Sequence, residues 1–143
     1  MKIISLIGVL LLILTAGISY GATLEYACNS ITQCPQLTIN NTVTRNILSI
    51  PINETGKYLI TYSIAADGDD APFNIYVSGD SLYGSLGDSW SYFNAKPKIN
   101  TFTRSFFYDL ELGDTLTLRA SSPSSMITNI YPYFSSLTAI KVN

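Results

Sequence analysis

No histidine occurs anywhere in the 143 residues. That removes Ser-His and Cys-His nucleophile pairs, His-ligated zinc and the commonest general base together. Serine is abundant, yet Lys96 and Lys98 are the only bases near a Ser-rich loop and no Ser-x-x-Lys occurs. Catalysis is not expected, and no residue is assigned a catalytic role. Cys28 and Cys34 are the only cysteines. In an exported chain an even count favours a bridge, here closing a small loop that pins an arm more than it holds a core. Asp67, Asp69 and Asp70 gather around Gly68, and hard cations such as calcium prefer such oxygen ligands. The group lacks the twelve-residue spacing of an EF-hand, so a solvated turn is the reading preferred over a metal site, and no cofactor is expected. Trp90, Tyr92 and Phe93 could offer an aromatic platform to a sugar or a partner loop, with Trp90 and Tyr92 as the ligand candidates. A plug at the end of a sandwich is the commoner use of such a cluster.

The elements that must position these groups are strands. From Thr55 to Asp67 the chain reads Thr-Gly-Lys-Tyr-Leu-Ile-Thr-Tyr-Ser-Ile-Ala-Ala-Asp, aromatic and β-branched throughout, with no helical period. Alternation along a pleated strand sends Tyr58, Ile60, Tyr62 and Ile64 to one side and Leu59, Thr61, Ser63 and Ala65 to the other. After Lys57 neither side carries a charge, so both sides are expected to be covered, one by the domain's own second sheet and the other by a second copy of the chain.

Further strands are predicted over Val43 to Ile52, Phe73 to Ser78, Asn100 to Leu110, Thr115 to Ala120 and Phe134 to Val142. Phe134, Ile140 and Val142 are assigned inward in the last of them. Pro51 marks an edge or a bend. Asp67 to Pro72 reads as a polar loop, and Ser121 to Pro132 as a long Ser/Pro loop. Nowhere does an apolar period of three to four persist over three turns, and Gly, Asp, Asn and Pro separate the segments. That pattern describes an all-β sandwich or jelly roll.

Residues 1–21 read as a signal peptide: Lys2, an apolar run from Ile3 to Leu14, then Ser19-Tyr20-Gly21 before a cut ahead of Ala22. Residues 22–42 form an N-terminal arm with the Cys loop, and residues 43–143 the sandwich. The product is expected to be secreted. Removing Lys2 leaves seven basic against ten acidic residues, a formal charge of −3. With no basic run to neutralise phosphates, nucleic acid is not an expected partner. Asn40-Asn41-Thr42 and Asn53-Glu54-Thr55 match the N-glycosylation pattern, which matters only for a eukaryotic or viral source.

The order of motifs resembles the jelly-roll superfamily of tumour necrosis factor ligands and the heads of the complement first-component q subunit. It also resembles the heads of bacterial collagen-like surface proteins. Ile50-Pro51-Ile52 followed by Thr55-Gly56-Lys57-Tyr58-Leu59-Ile60-Thr61-Tyr62 is similar to the family's proline strand, turn and Gly-x-Tyr strand. Ile75-Tyr76-Val77-Ser78-Gly79 is similar to the strand that follows. Phe106 to Leu118, with Leu110-Glu111-Leu112-Gly113-Asp114 at its centre, resembles the aromatic strand, Leu-x-x-Gly-Asp turn and alternating strand of the family. Tyr133-Phe134-Ser135-Ser136-Leu137 resembles its final Phe-Ser-Gly strand, Ser136 replacing the Gly.

The resemblance implies a homotrimer packed around a threefold axis through one sheet. The subunit face would be Leu59, Thr61, Ser63 and Ala65, then Thr101, Thr103, Ser105 and Phe107, then Tyr133, Ser135, Leu137 and Ala139. This set is small or apolar and uncharged, as a close contact requires. A cover supplied by the chain's own N-terminal arm is the alternative. No collagen-like tract or membrane stalk precedes the head, so neither bouquets nor cell-bound signalling is expected. A recognition or surface-attachment role for a protein or glycan ligand is the leading expectation, with a coat or matrix component and a carbohydrate-binding module as rivals.

Overall fold

The computed structural model describes residues 23–27, 32–41, 43–79 and 91–142. The assigned leader at 1–21, Cys28 and Trp90 lie outside the described residues. The strands are β1 Thr23–Ala27, β2 Leu37–Ile39, β3 Thr44–Pro51, β4 Gly56–Gly68, β5 Ala71–Ser78, β6 Ser91–Ala95, β7 Asn100–Leu110, β8 Thr115–Ser121, β9 Thr128–Ile130 and β10 Ser136–Val142.

They form two antiparallel sheets. In the six-stranded sheet β4 is the hub: β7 runs along one edge of it, and its other edge is shared by β10 and β9, which lead out to β1 and β2. The four-stranded sheet has the order β3-β8-β5-β6. Within the segment assigned as the N-terminal arm, β1 pairs with β10 and β2 with β9. Pro51 sits on β3, an outer strand, where its missing N–H costs no ladder bond to a second neighbour.

The core lies between the sheets. Tyr58, Ile60, Tyr62 and Ile64 of β4 are all buried, as their alternation requires, and they face Phe73, Ile75 and Val77 of β5 and Leu116, Leu118 and Ala120 of β8. Each Ile, Leu, Val or Phe among them contributes about 1.5–3 kcal/mol relative to leaving it in water. Phe73, Phe93 and Phe102 interlock at one side, with ring centroids 4.5 Å apart for Phe93 and Phe102 and 5.4 Å for Phe73 and Phe102.

Short connections cross between the sheets and are tied to one another. Gly113, at φ +96°, turns β7 into β8 in a conformation that L side chains rarely adopt. Its N–H donates to Ile52 O at 2.9 Å, and Ile52 N–H donates to Asp114 O at 2.7 Å, so the turn after β7 is bonded to the one after β3. Asp114 caps it by accepting from Glu111 N–H at 2.9 Å, and Thr55 Oγ1 accepts from Leu112 N–H at 3.0 Å. Gly68 is needed for space: a Cβ there would lie 2.9 Å from Ile127 O.

Three expectations about elements are corrected. The predicted polar loop from Asp67 to Pro72 shrinks to Asp69 and Asp70, because Asp67 and Gly68 still pair with Asn129 and Thr128 of β9. That strand lies inside the segment read as a long Ser/Pro loop; three residues are too few for alternation to register. In the last segment Pro132–Phe134 forms a single 3-10 turn, and only Ser136 onward is strand. The parity assigned there fails: Leu137 and Ala139 are buried, whereas Phe134 is 55 % exposed.

Candidate functional site

The face of the six-stranded sheet that looks away from the core is the most distinctive surface. Register sets Leu59 beside Phe107, Thr61 beside Ser105 and Ser63 beside Thr103. On the other side of β4, Ile140 lies beside Leu59, Thr138 beside Thr61 and Ser136 beside Ser63. Hydroxyls knit the middle: Thr61 Oγ1 and Ser105 Oγ are 2.8 Å apart, Thr103 Oγ1 donates to Ser63 Oγ at 3.3 Å, and Thr138 Oγ1 donates to Thr61 O at 3.2 Å. Phe107 is 55 % exposed, with the Lys57 ammonium 5.7 Å from its ring centroid. Lys57 and Asp109 lie opposite each other at one end, and between them and Ala65 the outward positions of β10, β4 and β7 carry no charge; beyond β10, register sets Glu25 of β1 beside Thr138.

The residues expected to form this face divide. Leu59, Thr61 and Ser63 of β4 are half-buried, and Thr101, Thr103, Ser105 and Phe107 of β7 are exposed, all on the outward side. Ala65 shares their parity but is 1 % exposed. Its N–H donates to Ser135 Oγ at 3.0 Å and its O accepts from Tyr131 N–H at 2.9 Å, so the 132–134 turn covers it.

Leu137 and Ala139 are corrections: opposite Tyr62 and Ile60, they point with them into the chain's own core. Ser135 is buried too, donating to Tyr131 O at 2.8 Å. The 3-10 turn resets the alternation before the strand begins, so the outward residues of β10 are Ser136, Thr138, Ile140 and Val142. The signal was present in Ser-Leu-Thr-Ala, where polar and apolar alternate with the opposite parity, but Ile140-Lys141-Val142 contradicts it. Lys141 takes the inward parity at the rim, where its ammonium meets Glu54 at 2.8 Å. That contact holds the Glu54 carboxyl below its ordinary range and raises Lys141.

Tyr133 is 39 % exposed but belongs to the turn rather than the sheet. With Phe134, whose ring centroid is 5.0 Å away, and with Tyr131, Cys34 and Gln36, it lines a hollow of about 180 Å³. Cys34 is half-buried there.

The aspartates do not converge. Asp67 accepts from Asn129 Nδ2 at 2.9 Å and from Tyr131 Oη at 2.7 Å, whereas Asp70 pairs with Lys96. No group of three or more His, Cys, Asp or Glu that could hold a metal occurs among the described residues. The aromatic cluster also splits. Phe93 packs inward against Phe73 and Phe102, while Tyr92 is 63 % exposed on the outer strand β6.

No family model matches the chain, and no curated protein matches it. Among solved structures it is similar to Eiger, a TNF from S. frugiperda, with a TM-score of 0.64 at 12 % identity over 87 % of this chain and 94 % of that one. It is also similar to murine APRIL, with a TM-score of 0.57 at 13 % identity over 84 % of this chain and 98 % of that one. The fold is therefore a TNF-like jelly roll.

Proposed function

We propose that the chain is an exported, non-enzymatic recognition or surface-attachment protein that assembles as a homotrimer through the outer face of its six-stranded sheet. One observation carries this reading: a broad outward face on β10, β4 and β7, charged only by Lys57 and Asp109 at one end, with Phe107 more than half exposed at 55 %. A monomer would leave it in water, which soluble monomers rarely do. Small side chains let two backbones approach, and the internally bonded hydroxyls of Thr61, Ser105, Thr103 and Ser63 lower the desolvation cost of covering them. The likeness to TNF structures supports the same assembly by analogy. Export rests on Lys2, the apolar run from Ile3 to Leu14 and the small residues at Ser19 and Gly21.

Sedimentation velocity of the chain lacking residues 1–21, at micromolar concentration, tests the assembly. Three times the chain mass is expected. Phe107→Glu combined with Thr103→Arg is expected to give a folded monomer, because two long charged side chains would have to lose their water at the contact. A wild-type chain that sediments as a monomer would exclude the reading.

A further inference from the structure

The four-stranded sheet also turns a face away from the core, and its chemistry differs from that of the subunit face. Register sets Arg119 of β8 between Asn46 of β3 and Tyr76 of β5. Two residues along, Ser121 lies beside Asn74, and Asn74 beside the exposed Tyr92. The four strands contain no Asp or Glu, and their two charges, Arg45 and Arg119, are both positive.

Arg119 is half-buried, and its Nε is cut off from solvent with no hydrogen-bond partner among the described residues. A guanidinium stays charged and presents five donors in a planar fork. With Nε covered, the fork offers its terminal Nη groups, and a carboxylate or sulfate can take two N–H groups there at once. Around this fork stand amides, a hydroxyl and two phenol rings, groups that pair with sugar hydroxyls and stack on the apolar side of a sugar ring. Beside Asn46 the register of β3 shifts before Leu48. This irregularity borders a hollow of about 230 Å³ lined by Asn46, Ile47, Leu48 and Ser49.

We propose that this face binds an acidic saccharide, with Arg119 receiving its carboxylate or sulfate and Asn46, Asn74 and Tyr92 contacting the ring. The chain carries a net charge of −2, so general electrostatic attraction does not draw anions to it. The site lies on the opposite sheet from the subunit face and does not depend on assembly.

Calorimetric titration with sialyllactose and with sulfated N-acetylglucosamine, against lactose, unmodified N-acetylglucosamine and sodium sulfate, tests it. At least one acidic sugar is expected to bind about tenfold or more tighter than its neutral counterpart and than free sulfate. Arg119→Gln is expected to abolish that margin, and the monomeric Phe107→Glu, Thr103→Arg chain to keep it. In nitrogen-labelled wild-type protein the Arg119 Nε–H resonance is expected to move on addition of the acidic sugar. This readout decides the matter if Arg119→Gln does not fold. Equal binding of neutral sugars, equal binding of free sulfate, a margin that survives Arg119→Gln, or an unmoved Nε–H signal would each overturn the site.

Discussion

At the scale of single residues the polar groups of this protein serve to hold backbone segments together. Asp67 joins β4 to β9 and to the following turn through Asn129 and Tyr131. The hydroxyl of Tyr131 donates to a carboxylate, so ionising it would lose that bond and set two anions side by side. Its pKa is raised for this reason first. Tyr62 and Tyr58 are raised as well, chiefly by burial. A phenol whose folded pKa exceeds its unfolded value contributes stability that is complete below the ordinary value of 10.0 and lost as pH climbs through the folded one. Absorbance titration of the phenolates should therefore show a fraction ionising above the ordinary tyrosine range, with the fold loosening over the same interval. Asp67→Asn should return one of those phenols toward its usual value. An unchanged titration curve in that variant would mean that Tyr131 does not feel Asp67. None of this was legible beforehand: Asp67 looked like part of a loop because its partners lie 62 and 64 residues away in the chain.

At the scale of the element, β4, β7 and β8 were readable because each is long enough for alternation to repeat. Thr115 to Ser121 shows it plainly, with Leu116, Leu118 and Ala120 buried. The three residues of β9 and the 3-10 turn at 132–134 were not readable, since local pattern cannot separate them from loop. The turn then carried an error forward, because a shift by one residue exchanges the two faces of every residue after it. The two parities make opposite forecasts for stability. Leu137→Ala should destabilise the chain by about 2–5 kcal/mol, the cost of emptying a fully buried site. Ile140→Ala, on the outward side, should cost about 1 kcal/mol or less in a monomeric background. Chemical denaturation of the two variants distinguishes them, and a reversed order would restore the parity read from sequence.

At the scale of the whole molecule the two sheets divide the labour. One presents hydroxyl-rich and apolar residues between β10, β4 and β7; the other presents amides, phenols and a guanidinium whose Nε has no partner among the described residues. In a trimer formed through the first, three copies of the second would face outward, and their binding to a multivalent surface would be strengthened without any new contact. Assembly also couples to stability by mass action. The melting temperature of the wild-type chain should rise with protein concentration, whereas that of the Phe107→Glu, Thr103→Arg chain should not. Scanning calorimetry over a hundredfold range of concentration, on the order of what this coupling needs to be seen, makes the comparison. The sandwich class was legible from the spacing of turns, but not which strand lies beside which.

That strand order also bears on how the sandwich closes. β10 follows the other described strands in sequence, yet it is inserted between β1 and β4 near the middle of its sheet. Until it docks, β1 lacks the strand it pairs with among the described residues, and the inward row of Tyr58, Ile60 and Tyr62 lacks Leu137 and Ala139 beside it. Closure of the sandwich thus waits on pairing between strands far apart in sequence, which is slower than closing a local hairpin.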